Sequence, residues 1–185
     1  MPNVSLQVAD IMSLPDGWAN DCDLTFTDPP WEQGLVKMFE TIRYKQTAVE
    51  RVGNTIDGIL NKLFQLAPKG KPCFVEYGMK GYERVEAIGQ ENGFVLAGTV
   101  IGTQLSGQPY ATMCFNTDMN LSGAANLQGW GFLDKTLAHH KPTKVFEPFA
   151  GHGQHARRIA ANGYGVRATE FNAARAEKCR IALKL

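Results

Sequence analysis

The sequence lacks several features that would each assign it to a class of protein. Its 19 basic and 18 acidic residues give a net charge of +1, which excludes a strongly basic protein that binds phosphate along its whole surface. No apolar run approaches the ~20 residues that a helix needs to cross a bilayer. The four cysteines are dispersed without a CxxC pair, so we expect reduced, mostly buried thiols and no disulfide framework.

Two further absences concern location and metals. The first residues, MPNVSLQVAD, contain no basic stretch followed by an apolar core, so we predict no secretory leader and a cytoplasmic location. The four histidines and the dispersed cysteines have no metal-ligand spacing, and we expect no metal site. His139 and His140 are interpreted as surface residues at a helix end. The length of 185 residues fits one domain over 1–185 that can bury a sizeable core.

Strand and helix patterns alternate along the chain, which predicts an α/β fold. Seven segments have strand character: VSLQVAD, DCDLTFTD, KPCFVEYG, FVLAGTVIGT, YATMCFNT, KVFEPFAG and GVRATEF. The near-continuous apolar centre of the second segment indicates burial on both faces, as in a parallel sheet covered by helices. The fourth and fifth segments are joined by QLSGQP, which predicts an antiparallel hairpin at the sheet edge.

A glycine-rich turn follows the sixth strand, in VFEPFAGHGQHARRIAANGYGVRATEF. Gly151 and Gly153 would let a ligand approach the backbone, and the next helix would offer free N–H groups at its start. Glu170 ends the following strand, where a carboxylate can accept both hydroxyls of a ribose. This layout predicts a site for an adenosine-containing cofactor, although GxG alone also fits a tight strand-to-helix turn. The turn is neither GxGxxG, because position 156 is alanine, nor a phosphate loop, because no GK[ST] follows.

The second predicted strand ends in Asp28-Pro29-Pro30-Trp31. A proline-rich turn with an aromatic plug is one interpretation of these residues. An acid directly at the tip of a buried strand, followed by two prolines that fix the backbone, is typical instead of a site that aims polar groups at a substrate.

Together, DPPW and Phe149-Ala150-Gly151-His152-Gly153 resemble the two motifs of the S-adenosylmethionine-dependent amino-methyltransferases, a catalytic DPPY-type motif and a cofactor-binding FxGxG motif. The catalytic motif comes first, as in the circularly permuted β group of the DNA enzymes. The resemblance runs from about Val8 to the last helix. It implies a Rossmann-like methyltransferase fold with a seven-stranded, mostly parallel sheet, helices on both faces and permuted chain order.

The resemblance also implies a role for each motif residue. Asp28 and the Pro29 carbonyl would accept the two hydrogens of a target amine, Pro30 would fix the backbone, and Trp31 would stack on the target base. S-adenosylmethionine would be the methyl donor. Its expected binding residues are Asp10, Glu147, Pro148, Phe149, Gly151, Gly153, Glu170 and Asn172. Asp10 fits equally well as a solvated carboxylate at a strand end, and Asn172 is also a candidate N-cap.

The chain departs from the family pattern in three respects. Within the cofactor motif, Glu147 replaces the usual aspartate, and His152 and Gln154 stand where serine and threonine are common. The HPxxKP-like motif of the β group is replaced by NLQGWGFLDKTLAHH, so its contribution to cofactor binding would pass to Trp130 or to the local backbone. The segment of about 117–133 is too short for a base-reading domain. The variable segment of about 32–54, with basic and aromatic residues, is the other candidate for target recognition. We therefore expect target recognition that is relaxed, or short in sequence, or assisted by a second subunit. That subunit would be either a homodimer copy or another protein.

The resemblance favours transfer of a methyl group to adenine N6 in DNA, because aspartate in the first motif is more typical of adenine than of cytosine N4 enzymes. RNA N-methylation with the same chemistry is an alternative, since RNA enzymes also use DPPW. A catalytically silent subunit that binds the cofactor is a second alternative. Methylation of a protein side-chain amide would be expected to show asparagine in place of Asp28.

Overall fold

The structure is a computed structural model that describes residues 2–31, 55–124, 127 and 130–185. The segment 32–54, considered above for target recognition, lies outside the described residues. So do residues 125–126 and 128–129 of the short 117–133 segment.

Seven strands, five α-helices and one short 3-10 helix lie in the described residues. The strands are Val4–Val8 (β1), Leu24–Thr27 (β2), Cys73–Gly78 (β3), Leu96–Thr103 (β4), Pro109–Phe115 (β5), Lys144–Glu147 (β6) and Gly165–Glu170 (β7). The α-helices are Ile56–Leu66 (α1), Tyr82–Glu91 (α2), Gly131–His140 (α3), Gln154–Ala161 (α4) and Ala173–Leu183 (α5), and the 3-10 helix is Ile11–Ser13.

The strands form one sheet in the order β1-β7-β6-β2-β3-β5-β4. The pairs β1–β7, β7–β6, β6–β2 and β2–β3 are parallel. Strand β5 runs antiparallel to both β3 and β4. The predicted seven-stranded, mostly parallel sheet with an antiparallel hairpin at its edge is confirmed. Because these neighbouring strands are parallel, the segments that follow β1, β7, β6 and β2 lie at the same edge of the sheet.

Helices cover both faces of the sheet, as predicted. On one face, α1 and α2 bury Leu60, Phe64 and Val85 against β3 and β5. On the other face, α3 and α4 contribute Phe132 and Ile159 to a second cluster. Each fully buried leucine or phenylalanine stabilises the fold by about 1.5–3 kcal/mol. Helices pack against the sheet from both sides, so the ends of its strands, and the segments that follow them, have fixed positions.

All four cysteines are free and buried, which confirms the expectation of buried thiols. Burial raises the pKa of Cys22, Cys114 and Cys179 to about 12, so these thiols are protonated and unreactive near neutral pH. A search of the described helices finds none with the length and apolar character required to span a membrane.

Candidate active site at the carboxyl edge of the sheet

The parallel strands bring the predicted site residues to one edge of the sheet. Asp28 directly follows β2, Pro148 follows β6, and Glu170 is the last residue of β7. Asp10 follows β1, where Ala9 donates a backbone hydrogen bond to the Glu170 carbonyl at 3.2 Å. Residues from opposite ends of the sequence therefore meet because of strand order alone.

The DPPW turn is fixed by two contacts of its tryptophan. The indole Nε1 of Trp31 donates a hydrogen bond to Oδ1 of Asp28 at 2.5 Å. The ring lies on Gly78, the last residue of β3, where a Cβ atom would approach ring atom Cε3 to 2.8 Å. Since any side chain at Gly78 would displace the ring, this glycine leaves the space in which Trp31 sits.

The ionisation of Asp28 is strongly perturbed. Burial, and next the negative charge of Glu76, raise the pKa of the carboxyl to about 7. His155 and the Trp31 hydrogen bond act in the opposite direction, and Glu147 adds a further, smaller increase. Asp28 therefore exchanges its proton near neutral pH, as expected of an active-site acid or base.

The glycine turn after β6 is packed closely against α5. Gly151 has φ 55° and Gly153 has φ 82°, the left-handed region that favours glycine. Added Cβ atoms would lie 2.6 Å from Nη2 of Arg175 and 2.7 Å from Sγ of Cys179, respectively. The glycines at these two positions thus let the turn adopt its conformation and pack on α5, and Gly151 also lines the second cavity described below.

Glu170 ties this turn to the end of β7. Its Oε2 accepts a hydrogen bond from the Gly151 amide at 2.8 Å, and its Oε1 accepts one from the Asn172 amide at 2.9 Å. The side chain is 4% exposed. These two bonds fix a buried carboxylate at the tip of the strand, the position that suits a ribose hydroxyl pair.

A first cavity of about 250 Å³ opens between the ends of β1, β2, β6 and β7. Its walls are mostly apolar, with one acidic and one basic side chain besides Asp28. The lining residues are Ala9, Ile11, Asp28, Pro29, Pro30, Trp31, Pro148, Phe149, Glu170, Phe171 and Arg175. A flat, apolar heterocycle with a hydroxylated group at one end fits this combination of walls.

A second, more polar cavity of about 410 Å³ lies beside the first. It extends from the glycine turn to the loop between β4 and β5. The lining residues are Asp28, Glu76, Gln104, Leu105, Ser106, Trp130, Phe149, Ala150, Gly151, His152, Gln154, His155 and Arg175. Asp28, Phe149 and Arg175 line both cavities, so a group held in one cavity faces a group held in the other across Asp28.

Four of the predicted cofactor residues do not line either cavity. Asp10 is 5% exposed and accepts a hydrogen bond from the Met12 amide at 3.1 Å, capping the 3-10 helix. Asn172 caps α5 by accepting from the Arg175 amide at 3.0 Å. Gly153 packs on Cys179. These three residues shape the loops behind the cavity walls.

Glu147, the fourth, is fully buried beneath the turn. Its Oε1 accepts hydrogen bonds from the Thr27 hydroxyl at 3.0 Å and from the Phe149 amide at 3.3 Å. Its Oε2 lies 3.5 Å from Nδ1 of His155. The carboxylate thus connects the DPPW strand to the glycine turn from inside the protein.

Three ionisable residues of the site, besides several uncharged wall residues, were not predicted from the sequence. Glu76 on β3, His155 on α4 and Arg175 on α5 all line the second cavity. Glu76 had one detectable signal, because it is the only charged residue within the strand CFVEYG. His155 and Arg175 had none, since their positions depend on how α4 and α5 rotate against the sheet.

His139 and His140 lie at the end of α3, as predicted. Nε2 of His139 is 3.0 Å from Oδ1 of Asp118, and Nε2 of His140 is 2.9 Å from the Thr117 hydroxyl. Among the described residues, Asp118, His139 and His140 are the one group with a spacing that could hold a metal ion. Asp118 and His139 are exposed, and the group lies outside both cavities.

Neither the family models nor the curated protein sequences compared with the chain gave a match. Solved structures, in contrast, match over nearly the whole chain. M1.HpyAVI superimposes with a TM-score of 0.69 at 13% identity, covering 98% of this chain and 99% of that one. The structure of its SAM complex gives a TM-score of 0.68 at 12% identity, covering 98% of this chain and 100% of that one.

Two other solved structures give the same result. TTHA0409 from Thermus thermophilus, complexed with S-adenosyl-L-methionine, has a TM-score of 0.64 at 14% identity, covering 99% of this chain and 93% of that one. PvuII DNA methyltransferase, which is cytosine-N4-specific, has a TM-score of 0.59 at 14% identity, covering 97% and 86%. The chain has the fold of these structures. The predicted methyltransferase-type α/β architecture is therefore confirmed.

Proposed function

We propose that this protein transfers a methyl group from S-adenosylmethionine to an exocyclic amino group of a nucleobase, adenine N6 in DNA. The observation that carries the proposal is the position of Asp28 between the two cavities, with Phe149 of the glycine turn beside it. The first cavity has the walls of a nucleoside site and also contains the DPPW residues, and the second contains the glycine turn. Asp28 faces both.

The first cavity suits the adenosine half of the donor. Ile11, Pro29 and Phe171 offer apolar surface to a purine ring, and Glu170 offers its buried carboxylate to the ribose hydroxyls. Gly151 lines the second cavity beside Phe149 and would offer its backbone to the methionine half of the donor. When bound, S-adenosylmethionine supplies an electrophilic methyl group on a sulfonium. Two of the structures with this fold are complexes with that molecule, which supports the assignment.

The DPPW turn suits the acceptor amine. The lone pair of an exocyclic amine is delocalised into its ring, so the nitrogen must move toward tetrahedral geometry before it reacts. Hydrogen-bond acceptors aimed at its two hydrogens favour that change and the positive charge that develops on nitrogen. The Asp28 carboxylate and the Pro29 carbonyl are the two acceptors. Two consecutive prolines hold the carbonyl direction fixed.

Trp31 has two roles in this proposal. Its indole N–H holds the Asp28 carboxylate in place, and one side of its ring is supported by Gly78. The other side is the surface on which a base extruded from its helix would stack. Positioning of the amine against the donor then accounts for much of the expected rate enhancement.

We further propose that the chain order is the permuted order of the β group. The DPPW turn precedes the glycine turn in the sequence, while β1 pairs in parallel with β7, which ends in Glu170. Target recognition is assigned to a second copy or a partner subunit, together with the segment 32–54. Asp28 favours adenine over cytosine as the target. The fold does not distinguish the two bases, because a cytosine-N4-specific enzyme shares it.

The test is transfer of label from S-adenosylmethionine to double-stranded DNA, single-stranded DNA and RNA, followed by digestion to nucleosides. The expected product is N6-methyladenine in DNA. Asp28→Ala should abolish transfer while it retains donor binding, because Glu170 and the glycine turn are unchanged. Asp16→Ala, at an exposed carboxylate, is the matched control and should retain full activity.

Other outcomes identify the alternatives. Label in RNA alone would replace DNA by RNA as the substrate and leave the amine chemistry intact. Donor binding without transfer to any polymer would contradict the proposal and indicate a silent subunit. Absence of donor binding would contradict both.

A further inference from the structure

His155 lies between two carboxylates directly behind the proposed reaction site. Its Nε2 is 3.2 Å from Oε2 of Glu76, and its Nδ1 is 3.5 Å from Oε2 of Glu147. The side chains of His155, Glu76 and Glu147 are 14%, 13% and 0% exposed. Burial of three ionisable groups is costly unless each is paired, so the placement of Glu76 and His155 at the second cavity, with Glu147 beneath it, requires a reason beyond packing.

The charges of this cluster follow from its contacts. Burial lowers the pKa of His155, but hydrogen bonds from the ring to Glu147 and Glu76 outweigh burial and raise that pKa well above its ordinary value. The imidazole is therefore positively charged at neutral pH. The hydroxyl of Tyr110 on β5 also donates to Glu76.

Several elements contribute ionisable groups to the electrostatic environment of Asp28, and Tyr110 of β5 is one of these groups. Glu76 comes from β3, Glu147 from β6, His155 from α4, and Arg175 of α5 lines the same cavities. Glu76 and Glu147 favour the protonated carboxyl, whereas His155 favours the carboxylate. Burial and the Trp31 indole act in addition to these charges.

We propose that Glu76 and His155 are an opposed pair of positioning residues for Asp28: Glu76 makes Asp28 a stronger acceptor for the proton that leaves the methylated amine, and His155 keeps that acceptor ionised before transfer. The inference rests on the proposed function. An isolated aspartate at the surface would be a weak base, and an aspartate beside Glu76 alone would hold its own proton at neutral pH. With both residues present, Asp28 has a pKa of about 7, so it is partly ionised at neutral pH and basic enough to accept a proton there.

The proton step balances without any further reactant. Once the amine nitrogen has gained its methyl group, it carries a positive charge. One N–H bond breaks, its electron pair returns to nitrogen, and an O–H bond forms on Asp28. The neutral carboxyl then releases the proton to water through the open second cavity. Glu76 and His155 do not exchange a proton with the substrate in this sequence.

A purely structural role would give a different result. The Glu147–His155–Glu76 contacts also join β6, α4 and β3, and loss of any of them should lower thermal stability. Such a loss would not move the titration of Asp28 in opposite directions for two variants. The titration of Asp28 in the two variants therefore distinguishes the proposal from a purely structural role of these contacts.

The test is carboxyl ¹³C NMR of protein labelled at aspartate, with the Asp28 signal assigned from Asp28→Asn. Glu76→Gln removes the like charge and should move the Asp28 midpoint to lower pH by about one unit. His155→Gln removes the opposite charge and should move it to higher pH by about the same amount. Glu177→Gln and His139→Gln, at exposed residues that line neither cavity, should leave it unchanged.

Single-turnover methyl transfer as a function of pH should follow the same two shifts. Midpoints that do not move, or that move in the same direction in both variants, would overturn the inference. If circular dichroism shows that His155→Gln does not fold, the shift of the Asp28 midpoint in Glu76→Gln alone decides the inference. Glutamine keeps the size of the glutamate side chain, so we expect this variant to fold. If the wild-type protein transfers no methyl group, the proposed function fails, whereas opposed titration shifts would still establish the charge relationship.

Discussion

Trp31 donates its indole hydrogen to Oδ1 of Asp28, so the two ends of the DPPW turn are joined by a single hydrogen bond of 2.5 Å. The bond uses one acceptor position on Oδ1, and the second position on Oδ1 and both positions on Oδ2 can accept further hydrogen bonds. Tryptophan in this motif therefore differs from a tyrosine or phenylalanine, because it orients the carboxylate as well as offering a ring face. The following predictions begin from this contact.

Trp31→Phe should reduce methyl transfer most at neutral pH. Phenylalanine keeps an aromatic face but loses the donor, and that donor lowers the pKa of Asp28. We expect about a 10-fold loss at pH 7, since a hydrogen bond to a charged group contributes about 1.5–3 kcal/mol. Part of the loss should be recovered at pH 8.5, where Asp28 is ionised again. Trp18→Phe is the control in a single-turnover assay, and an equal loss at both pH values would contradict the prediction.

Asp28→Asn should increase the stability of the fold above pH 7. The pKa of Asp28 is about 7 in the folded protein and about 3.9 in an unfolded chain. The folded state therefore holds the proton more tightly. The contribution of Asp28 to stability is fully present below pH 4 and is lost as the pH rises to 7. Asparagine does not ionise, so Asp28→Asn should raise the free energy of unfolding at pH 8 by on the order of 2–4 kcal/mol.

The measurement is urea unfolding of wild type and Asp28→Asn at pH 5 and pH 8. The difference between the two proteins should be larger at pH 8. Asp16→Asn, at a side chain that is 92% exposed, should show no such increase. A difference that does not depend on pH would show that Asp28 titrates normally.

Gly153→Ala should cost more than Gly163→Ala, although both glycines have positive φ, 82° and 88°. An added Cβ at 153 would lie 2.7 Å from Sγ of Cys179 and 3.0 Å from its Cα, whereas at 163 it would meet nothing within 4 Å. Gly163→Ala should therefore cost only the conformational penalty of about 1–2 kcal/mol. Gly153→Ala should cost this and the displacement of α5, and it should weaken donor binding as well. Thermal unfolding and calorimetric titration with S-adenosylmethionine measure the two effects.

Glu170→Gln should weaken the binding of S-adenosylmethionine. The carboxylate accepts from the amides of Gly151 and Asn172, and glutamine has one acceptor oxygen where glutamate has two. One amide then loses a charge-assisted bond, and the ribose loses its charged partner. We expect the dissociation constant to rise about 10- to 100-fold. Glu177→Gln, on the exposed side of α5, is the control and should bind normally.

The fold was predictable in most of its elements because its signals are local. The apolar run before Asp28 gave β2, and all four residues of that strand are buried. The hairpin of β4 and β5 followed from the turn residues between them. Helix α3 begins at Gly131, one residue before the predicted FLDKTLAHH, which is the usual uncertainty of a helix start.

The site was predictable only where its residues belong to a motif. Asp28, Pro29, Pro30, Trp31, Phe149, Gly151 and Glu170 were predicted and line the cavities. Glu76 could not be paired with His155 from the sequence, because their contact depends on strand order and on the rotation of α4. The same holds for Gly78, whose missing side chain matters only because Trp31 crosses it. A motif identifies its own residues, and the charges around it come from the tertiary structure.

The parallel pairing of β1 with β7 has a consequence for how the protein is made. Val4 pairs with Val166, and Val8 with Glu170; among the described residues, β7 is the one strand that pairs with β1. During synthesis the first strand therefore leaves the ribosome long before its partner exists. The hairpin and α1 to α3 can assemble on the central strands in that interval. Ala9 can bond to Glu170 only after β7 has been made, so a truncated chain that ends before β7 cannot complete the first cavity.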